Sequence, residues 1–342
     1  MARTVCFSAF TLAGRAQAMV LAESVRAAHP DWELHALLVD AVAEAEGIAG
    51  FDVLVPVAHI GIPRFPGWIF RHEPAQATLA ARACMLRHML AGGADRVVSL
   101  SPDIAVFHPL GLAEGDYAGA SVLLTPHQCA PNDDPRAIRD NERVAMRRGI
   151  YNLGFLAVRN DAPGRGFAQW LAEMMLQPGY DGRINPEFAD QIYCNLAPAM
   201  FDNVVVIRDP GYHAAAWNLS TRRLAFQPDG GITANGAPLR FYHFGDAGGA
   251  DILTERYAGE NVEVFELTNW HRRSVACHAE TLSPAGQWAY AGFDDGTPIT
   301  PAMRQLWRGR HDLQAAFANP FAAGPGTLRA WLRRERPDLL ES

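Results

Sequence analysis

The sequence "VVSLSPDIAVFHPL", residues 97–110, combines a strand pattern with a proline and a carboxylate. Its apolar beginning predicts a buried strand, and Pro102 predicts the end of that strand, because proline cannot donate a ladder hydrogen bond inside a sheet. A carboxylate at a buried strand end is costly unless it has a partner. Asp103 is therefore a candidate functional residue, and a serine, Ser101, stands two positions before it.

The segments on both sides of this stretch alternate between strand and helix patterns. "TVCFSAF" at Thr4–Phe10 and "ELHALLVD" at 33–40 are predicted strands, and the helical pattern between them ends at Pro30. Strand, helix and strand joined by short links form a βαβ unit, which predicts a parallel sheet. Helices are further predicted over 78–90, around Phe167 and over 188–200, and strands over 120–127, 149–160, 203–212 and 239–246.

This alternation predicts an α/β domain over residues 1–247. Gly248 and Gly249 predict a break after it. The remaining segment, 248–342, is rich in Trp, Arg and Ala and shows helical spacing, so we expect a helical C-terminal region packed on the sheet domain.

Composition narrows the class of protein. The 342 residues are 49% hydrophobic and 20% charged, which is typical of a globular protein, and the net charge of −7 argues against a nucleic-acid partner. The sequence predicts no membrane span and no signal peptide. The five cysteines are scattered and odd in number, which favours reduced thiols and a cytoplasmic location. The oligomeric state stays open.

Polar residues follow or end several of the predicted strands. In open α/β sheets, ligands bind beyond the carboxyl ends of the strands, so these side chains are candidates for a binding site. They are Ser8, Thr11, Asp40, Ser101, Asp103, His127, Asn152 and His243. The first strand is not followed by a GxGxxG fingerprint, and no GxxxxGK[ST] motif occurs, so neither of these phosphate-binding loops is available.

Four stretches, "SLSPDI", "YNLGFLAV", "FADQIYCNL" and "RFYHF", occur in an order and spacing that resemble nucleotide-sugar glycosyltransferases of the GT-A fold. The chain is most similar to the retaining family 8 type and to bacterial relatives with a "YLDPDI" stretch, over about residues 4–246. The resemblance implies a Rossmann-like, mixed and mostly parallel sheet flanked by helices. It also implies transfer of a sugar from a nucleotide-diphosphate donor to a glycan or glycoconjugate acceptor, with retention, in the synthesis of a surface polysaccharide or glycoconjugate.

Such enzymes usually hold a divalent metal, Mn or Mg, with an Asp-x-Asp motif and a later His. The cation neutralises the charge that develops on the departing diphosphate. By resemblance, Asp103 is the second Asp of the motif and His243 the distal His. Ser101 replaces the first Asp, which removes one charge from the metal site.

The resemblance also assigns roles to the other candidates. The implied catalytic residues are Asp103, Asp190 and Gln191, and the implied nucleotide-binding residues are Ser8, Thr11, Arg82 and Ser101. The implied sugar- or acceptor-binding residues are His127, Asn152, Gly154 and Trp217. Arginine suits a phosphate contact because its fork is always charged, and glycine permits close approach of the backbone.

Structural roles remain the alternative for single residues. Asp103 would be a turn residue, Arg82 a surface arginine and Asp190 a solvated acid at a helix N-terminus. His243 and Trp217 would pack in the core, and residues 8–11 would form a simple loop. Two other functions also remain. One is a degenerate nucleotide-sugar or glycan-binding protein, in which Ser101 marks lost turnover. The other is a nucleotidyltransferase, which would need a glycine-rich basic loop where "SAFTLAGRAQA" supplies one glycine.

Overall fold

A computed structural model describes residues 3–40, 47–177, 189–245 and 247–340. The helices in these ranges are α1 Arg15–Ala28, α2 Phe65–Phe70, α3 Pro74–Ala91, α4 Gly115–Ala118, α5 Pro135–Ala137, α6 Arg143–Arg148, α7 Ala162–Leu176, α8 Ala189–Cys194, α9 Ala197–Met200, α10 Ala247–Tyr257, α11 Val262–Thr281, α12 Pro301–Gly309, α13 His311–Ala316 and α14 Leu328–Glu335. The strands are β1 Thr4–Phe10, β2 Glu33–Leu38, β3 Val53–Pro56, β4 Arg96–Leu100, β5 Ile104–Val106, β6 Val122–Pro126, β7 Tyr151–Arg159, β8 Val204–Val206, β9 Ala214–Ala215, β10 Leu224–Phe226, β11 Ile232–Ala234, β12 Ala237–Pro238 and β13 Phe241–His243.

The central sheet has seven strands in the order β3-β2-β1-β4-β7-β6-β8. Only β7 runs against its neighbours, β4 and β6, and the remaining pairs are parallel. The prediction of a mixed, mostly parallel α/β fold flanked by helices is confirmed. Because β7 is reversed, its first residues lie at the same edge as the carboxyl ends of β4 and β6.

Helices cover both faces of this sheet. Alternate residues of β1 point to opposite sides, as the pleat of a strand requires. Phe7 packs in the core formed with α3 and α7, whereas Cys6 packs in the core formed with α1. The layers are therefore helix, sheet and helix.

Residues 97–110 fold as Pro102 predicts. The strand β4 ends directly before Ser101, and Pro102 lies in the turn that follows. The chain then leaves the central sheet as β5, which pairs with β13 in a small sheet of order β5-β13-β9. Asp103 lies in the corner between the two sheets, where its carbonyl oxygen accepts the amide of Phe244 at 2.9 Å.

The helix predicted over 188–200 is divided in two. Proline cannot donate to a carbonyl four residues earlier and clashes with it. Pro198 in α9 is four residues after Cys194, where α8 ends. Phe188, the first residue of that prediction, and Asp246, the last of the predicted strand 239–246, lie outside the described residues.

The C-terminal helices share the core of the sheet domain. Trp307 of α12 is buried, and its indole Nε1 donates to the carbonyl of Gly67 at 2.8 Å. The buried Arg304 donates to the carbonyl of Phe70 at 2.9 Å. Gly248 and Gly249, which predicted a break, lie inside α10. No helix in the described residues is long and apolar enough to cross a membrane.

Candidate functional site

A cavity of about 520 Å³ opens at the sheet edge where β4 and β6 end and β7 begins. Side chains from all four stretches of the resemblance line it, although they are far apart in the chain. The sequence-predicted residues among its lining are Arg82, Ser101, His127, Asn152, Gly154, Asp190, Gln191, Trp217 and His243.

Three residues with roles assigned by the resemblance lie outside this lining. Ser8 is fully buried within β1, and its hydroxyl has no hydrogen-bond partner among the described residues. Thr11 follows β1 and precedes a short helical turn, at the same sheet edge as Ser101. Asp103 lies against His243, which does line the cavity.

Arg82 and Asp190 form a buried ion pair at the floor of the site. Arg82 comes from α3 and Asp190 from α8, and Nη2 of the arginine lies 2.5 Å from Oδ2 of the aspartate. The carboxylate is only 2% exposed. Arg82 Nη1 also lies 3.4 Å from Ser101 Oγ. The arginine thus joins α8 to the turn after β4.

The side chain of Gln191 fastens two backbone segments next to this pair. Its Oε1 accepts the amide of Leu153 at 3.2 Å, and its Nε2 donates to the carbonyl of Arg148 at the same distance. The backbone approaches so closely that a Cβ added at Gly149 would lie 2.6 Å from the Cβ of Gln191. Gln191 therefore fixes the start of β7 and the end of α6 relative to α8.

A chain of hydrogen bonds runs through two histidines beside the cavity. His243 Nε2 lies 3.1 Å from Asp103 Oδ1, and His243 Nδ1 lies 2.9 Å from His213 Nε2. His213 Nδ1 in turn lies 2.6 Å from Thr125 Oγ1. His213 and Thr125 are buried and were not singled out from the sequence.

The ionisation of Asp103 sets the direction of its hydrogen bond with His243. Burial raises the pKa of Asp103, but the charge and hydrogen bond of His243 outweigh it and hold that pKa below its ordinary value. An ionised carboxylate only accepts, so His243 donates from Nε2. Burial, with the nearby charges of His243 and His127, lowers the pKa of His213 far below its ordinary value. His243 thus donates to Asp103 at one end of the series, and His213 links the other ring nitrogen of His243 to Thr125.

This arrangement is a poor fit for the implied metal. A ligating imidazole must offer an unprotonated nitrogen, and a ligating carboxylate a free lone pair. Here the nitrogen of His243 nearest to Asp103 carries the proton that bonds the two residues. In the part of the chain that the structure describes, no group of three or more His, Cys, Asp or Glu side chains could hold a metal ion.

His127 and Asn152 form the wall on the β6–β7 side. Asn152 Nδ2 donates to His127 Nε2 at 3.1 Å, and Asn152 Oδ1 accepts the amide of Gly154 at 2.8 Å. His127 Nδ1 donates to the carbonyl of Ile150 at 3.2 Å. Burial lowers the pKa of His127 to about 4, so the ring is neutral at pH 7.

Trp217 stands edge-on to His243, with ring centroids 5.0 Å apart. Its carbonyl accepts Gln128 Nε2 at 2.5 Å, while its own Nε1 is buried without a partner among the described residues. The buried Oδ1 of Asn141 is likewise unpartnered there. Buried polar atoms normally have a hydrogen-bond partner, so these two atoms are available to a ligand or to water.

Several lining residues carry no signal in the sequence. They are Gln128, Asp140, Asn141, Arg148 and Arg256. The sequence around His213, "GYHAAAW", offered one hint, because a histidine interrupts an apolar run just before Trp217.

Comparison with known proteins finds two curated relatives in Bacillus subtilis (strain 168). The chain is 30% identical over 164 residues to "Uncharacterized protein YfnF", covering 46% of this chain and 54% of the relative. It is 25% identical over 165 residues to "Uncharacterized protein YfnD", covering 48% and 49%. The chain thus spans about half the length of the curated relatives it matches. No family model matches it.

Two solved structures of a galactosyltransferase, LgtC, are similar to this chain. One is in complex with donor and acceptor sugar analogs; it is 20% identical, with a TM-score of 0.46 over 75% of this chain and 96% of that one. The other is an active-site mutant, 18% identical, with a TM-score of 0.43 over 83% and 98%.

Proposed function

We propose that this chain transfers a sugar from a nucleotide-diphosphate donor to a glycan or glycoconjugate acceptor, with retention, at the cavity described above. The observation that carries the proposal is convergence: four separate stretches that resemble glycosyltransferase motifs contribute Ser101, Asn152, Asp190 and His243 to one cavity. The cavity size suits a small-molecule ligand. Residues 1–247 form the proposed catalytic region.

The polar lining suits the chemistry of sugar transfer. The bond between the anomeric carbon and the diphosphate breaks, and the diphosphate keeps the electron pair. The acceptor hydroxyl bonds to the same face of the carbon, and its proton passes to the departing diphosphate. Three arginines, Arg82, Arg148 and Arg256, line the cavity with two aspartates, so the lining keeps a small excess of positive charge, which favours the departing anion. Amide and imidazole groups, at Asn152, Gln128 and His127, are suited to sugar hydroxyls.

In the proposed reaction, the series of hydrogen bonds from Thr125 through His213 to Asp103 orients His243. His243 lines the cavity while its Nε2 is held by the carboxylate of Asp103. A metal bound at Asp103 and His243 would supply Lewis acidity to the diphosphate, but it would first displace the proton between them. The proposed transfer therefore relies on the residues of the chain for charge stabilisation.

Release of nucleotide diphosphate from a panel of uridine, guanosine, adenosine and thymidine diphosphate sugars tests the proposal, with and without chelator. Asp103→Asn keeps the side-chain shape and removes its charge, so we expect turnover to fall about a hundredfold or more. Asp202→Asn, at an exposed aspartate outside the cavity, is the matched control and should leave turnover unchanged.

Two outcomes contradict the proposal. If no donor binds, the cavity is not a nucleotide-sugar site. If a donor binds in calorimetry but no diphosphate is released with any acceptor or with water, the chain is the degenerate binding protein that the serine at position 101 also permits.

A further inference from the structure

Three exposed arginines form a stripe on the outer face of the segment that ends in α6. Arg139, Arg143 and Arg147 follow one another at four-residue intervals, about one helical turn apart, and with Met146 they line a shallow surface depression. No carboxylate pairs with any of the three within the described residues. We call these four residues, together with Ile150 and Leu196, the arginine face.

The acidic residues of the same segment, Asp140 and Glu142, bond to residues other than the three arginines. Asp140 is bonded to Arg256 and accepts the hydroxyl of Tyr257 at 2.8 Å. Glu142 accepts the amide of Asn132 at 2.7 Å. The segment therefore separates its charges, with Arg139, Arg143 and Arg147 outward and without a carboxylate partner among the described residues, in a chain whose net charge is −7. Such a surface is complementary to an anionic partner.

Met146 is exposed among the arginines, and two further large apolar side chains are exposed beyond the end of α6. Met146 is 76% exposed, the highest value among the large hydrophobic residues described, and Ile150 and Leu196 are 48% and 51% exposed. The amide of Ile150 donates to Asn195 Oδ1 at 2.7 Å, which places Ile150 beside Leu196. A soluble anion would use the arginines and leave these apolar groups in water. A lipid surface uses both.

We propose that the arginine face docks the protein on a bilayer surface rich in anionic phospholipid, the arginines at the headgroups and Met146, Ile150 and Leu196 in the interfacial layer. Each arginine near such a surface contributes about fivefold in binding, so three contribute on the order of a hundredfold. The inner face of the same segment, with Asn141, Ala145 and Arg148, lines the candidate site. Docking here brings the cavity close to the bilayer.

Vesicle sedimentation without any donor tests this independently of the proposed transferase activity. The full chain is mixed with vesicles of phosphatidylglycerol and phosphatidylcholine, or of phosphatidylcholine alone, at low and high salt. We expect binding to the anionic vesicles only, weakened by salt because the charges are exposed. The triple variant R139Q/R143Q/R147Q should bind about a hundredfold more weakly. The matched control R223Q/R273Q/R333Q removes three other exposed arginines and should bind as the wild type does.

A second pair of variants tests the apolar part. Met146→Asp should weaken vesicle binding several-fold, whereas Val262→Asp, at a position 63% exposed on α11, should not. Failure of the wild type to bind anionic vesicles, or equal losses in both triple variants, would overturn the proposal. A third result would also overturn it: sedimentation velocity shows a dimer, and Met146→Asp dissociates that dimer while vesicle binding stays intact. The arginine face would then contact a second copy of the chain.

Discussion

At Gly154 the candidate site leaves no room for a side chain. A Cβ at this position would lie 2.6 Å from His243 Cε1 and 2.9 Å from Asn152 Oδ1. Gly154→Ala must therefore displace the His243 ring or the Asn152 amide, and overpacking of this kind costs about 1–3 kcal/mol. We expect urea denaturation to show that loss of free energy of unfolding. The rate of nucleotide-diphosphate release should also fall under conditions where the variant is fully folded, because the ring that moves belongs to the site.

Gly166 provides the control for that substitution. It lies within α7, and an added Cβ would come no closer than 3.8 Å to Phe201. Gly166→Ala should raise the free energy of unfolding by up to about 1 kcal/mol, because alanine is the better helix former. A Gly154→Ala variant as stable and active as wild type would show that the contact around His243 is loose.

The sequence predicted the candidate site only in part. Strand ends can be located from hydrophobic patterns, which is why Ser101 and Asn152 could be proposed without a structure. The link between Arg82 and Asp190 joins residues 108 positions apart, and nothing local to either predicts it. His213 reaches His243 because β9 pairs with β13, a contact between two very short strands that carry almost no pattern.

Among the helices and strands, prolines and glycines in the sequence predicted most of the element boundaries. Pro102 ended β4 as expected, since the missing amide acts wherever the residue stands. The direction of β7 was not accessible from its own residues, because a strand buried on both faces has the same apolar pattern in either direction. Gly248 and Gly249 predicted a break but lie in α10, where tertiary packing overrides their low helix propensity.

One aromatic side chain, Trp307, makes a large part of the contact between α12 and the sheet domain. Trp307 is 1% exposed and lies edge-on to Phe70, with ring centroids 5.3 Å apart. Trp307→Ala leaves a cavity and an unpaired carbonyl at Gly67, so we expect a loss of about 3–5 kcal/mol in urea denaturation. Trp270→Ala, at a tryptophan 38% exposed, should cost clearly less. Equal costs would mean that the C-terminal helices add nothing to the common core.

For the whole molecule, buried neutral histidines make stability depend on pH. Burial lowers the pKa of His29 and His271 to about 4 and that of His72 to about 3, from an ordinary value of 6.5. As pH falls below 6.5, the unfolded chain takes up protons that the folded chain refuses. The free energy of unfolding must therefore decrease from pH 6.5 toward about 4, by up to about 1.4 kcal/mol per pH unit for each such histidine.

Urea denaturation at intervals between pH 7.5 and pH 5 measures this slope, because the range spans the ordinary histidine pKa of about 6.5. Variants of single histidines then show which residue causes it. His72 is 1% exposed, and its Nδ1 donates to the carbonyl of Trp68 at 2.8 Å. His72→Gln removes one titrating group, so the slope should fall by about 1 kcal/mol per pH unit, whatever the variant's absolute stability. His59→Gln, at an exposed histidine, should leave the slope unchanged. A wild-type stability that is flat from pH 7 to 5, or a slope reduced equally by both variants, would show that these rings are protonated in the folded protein.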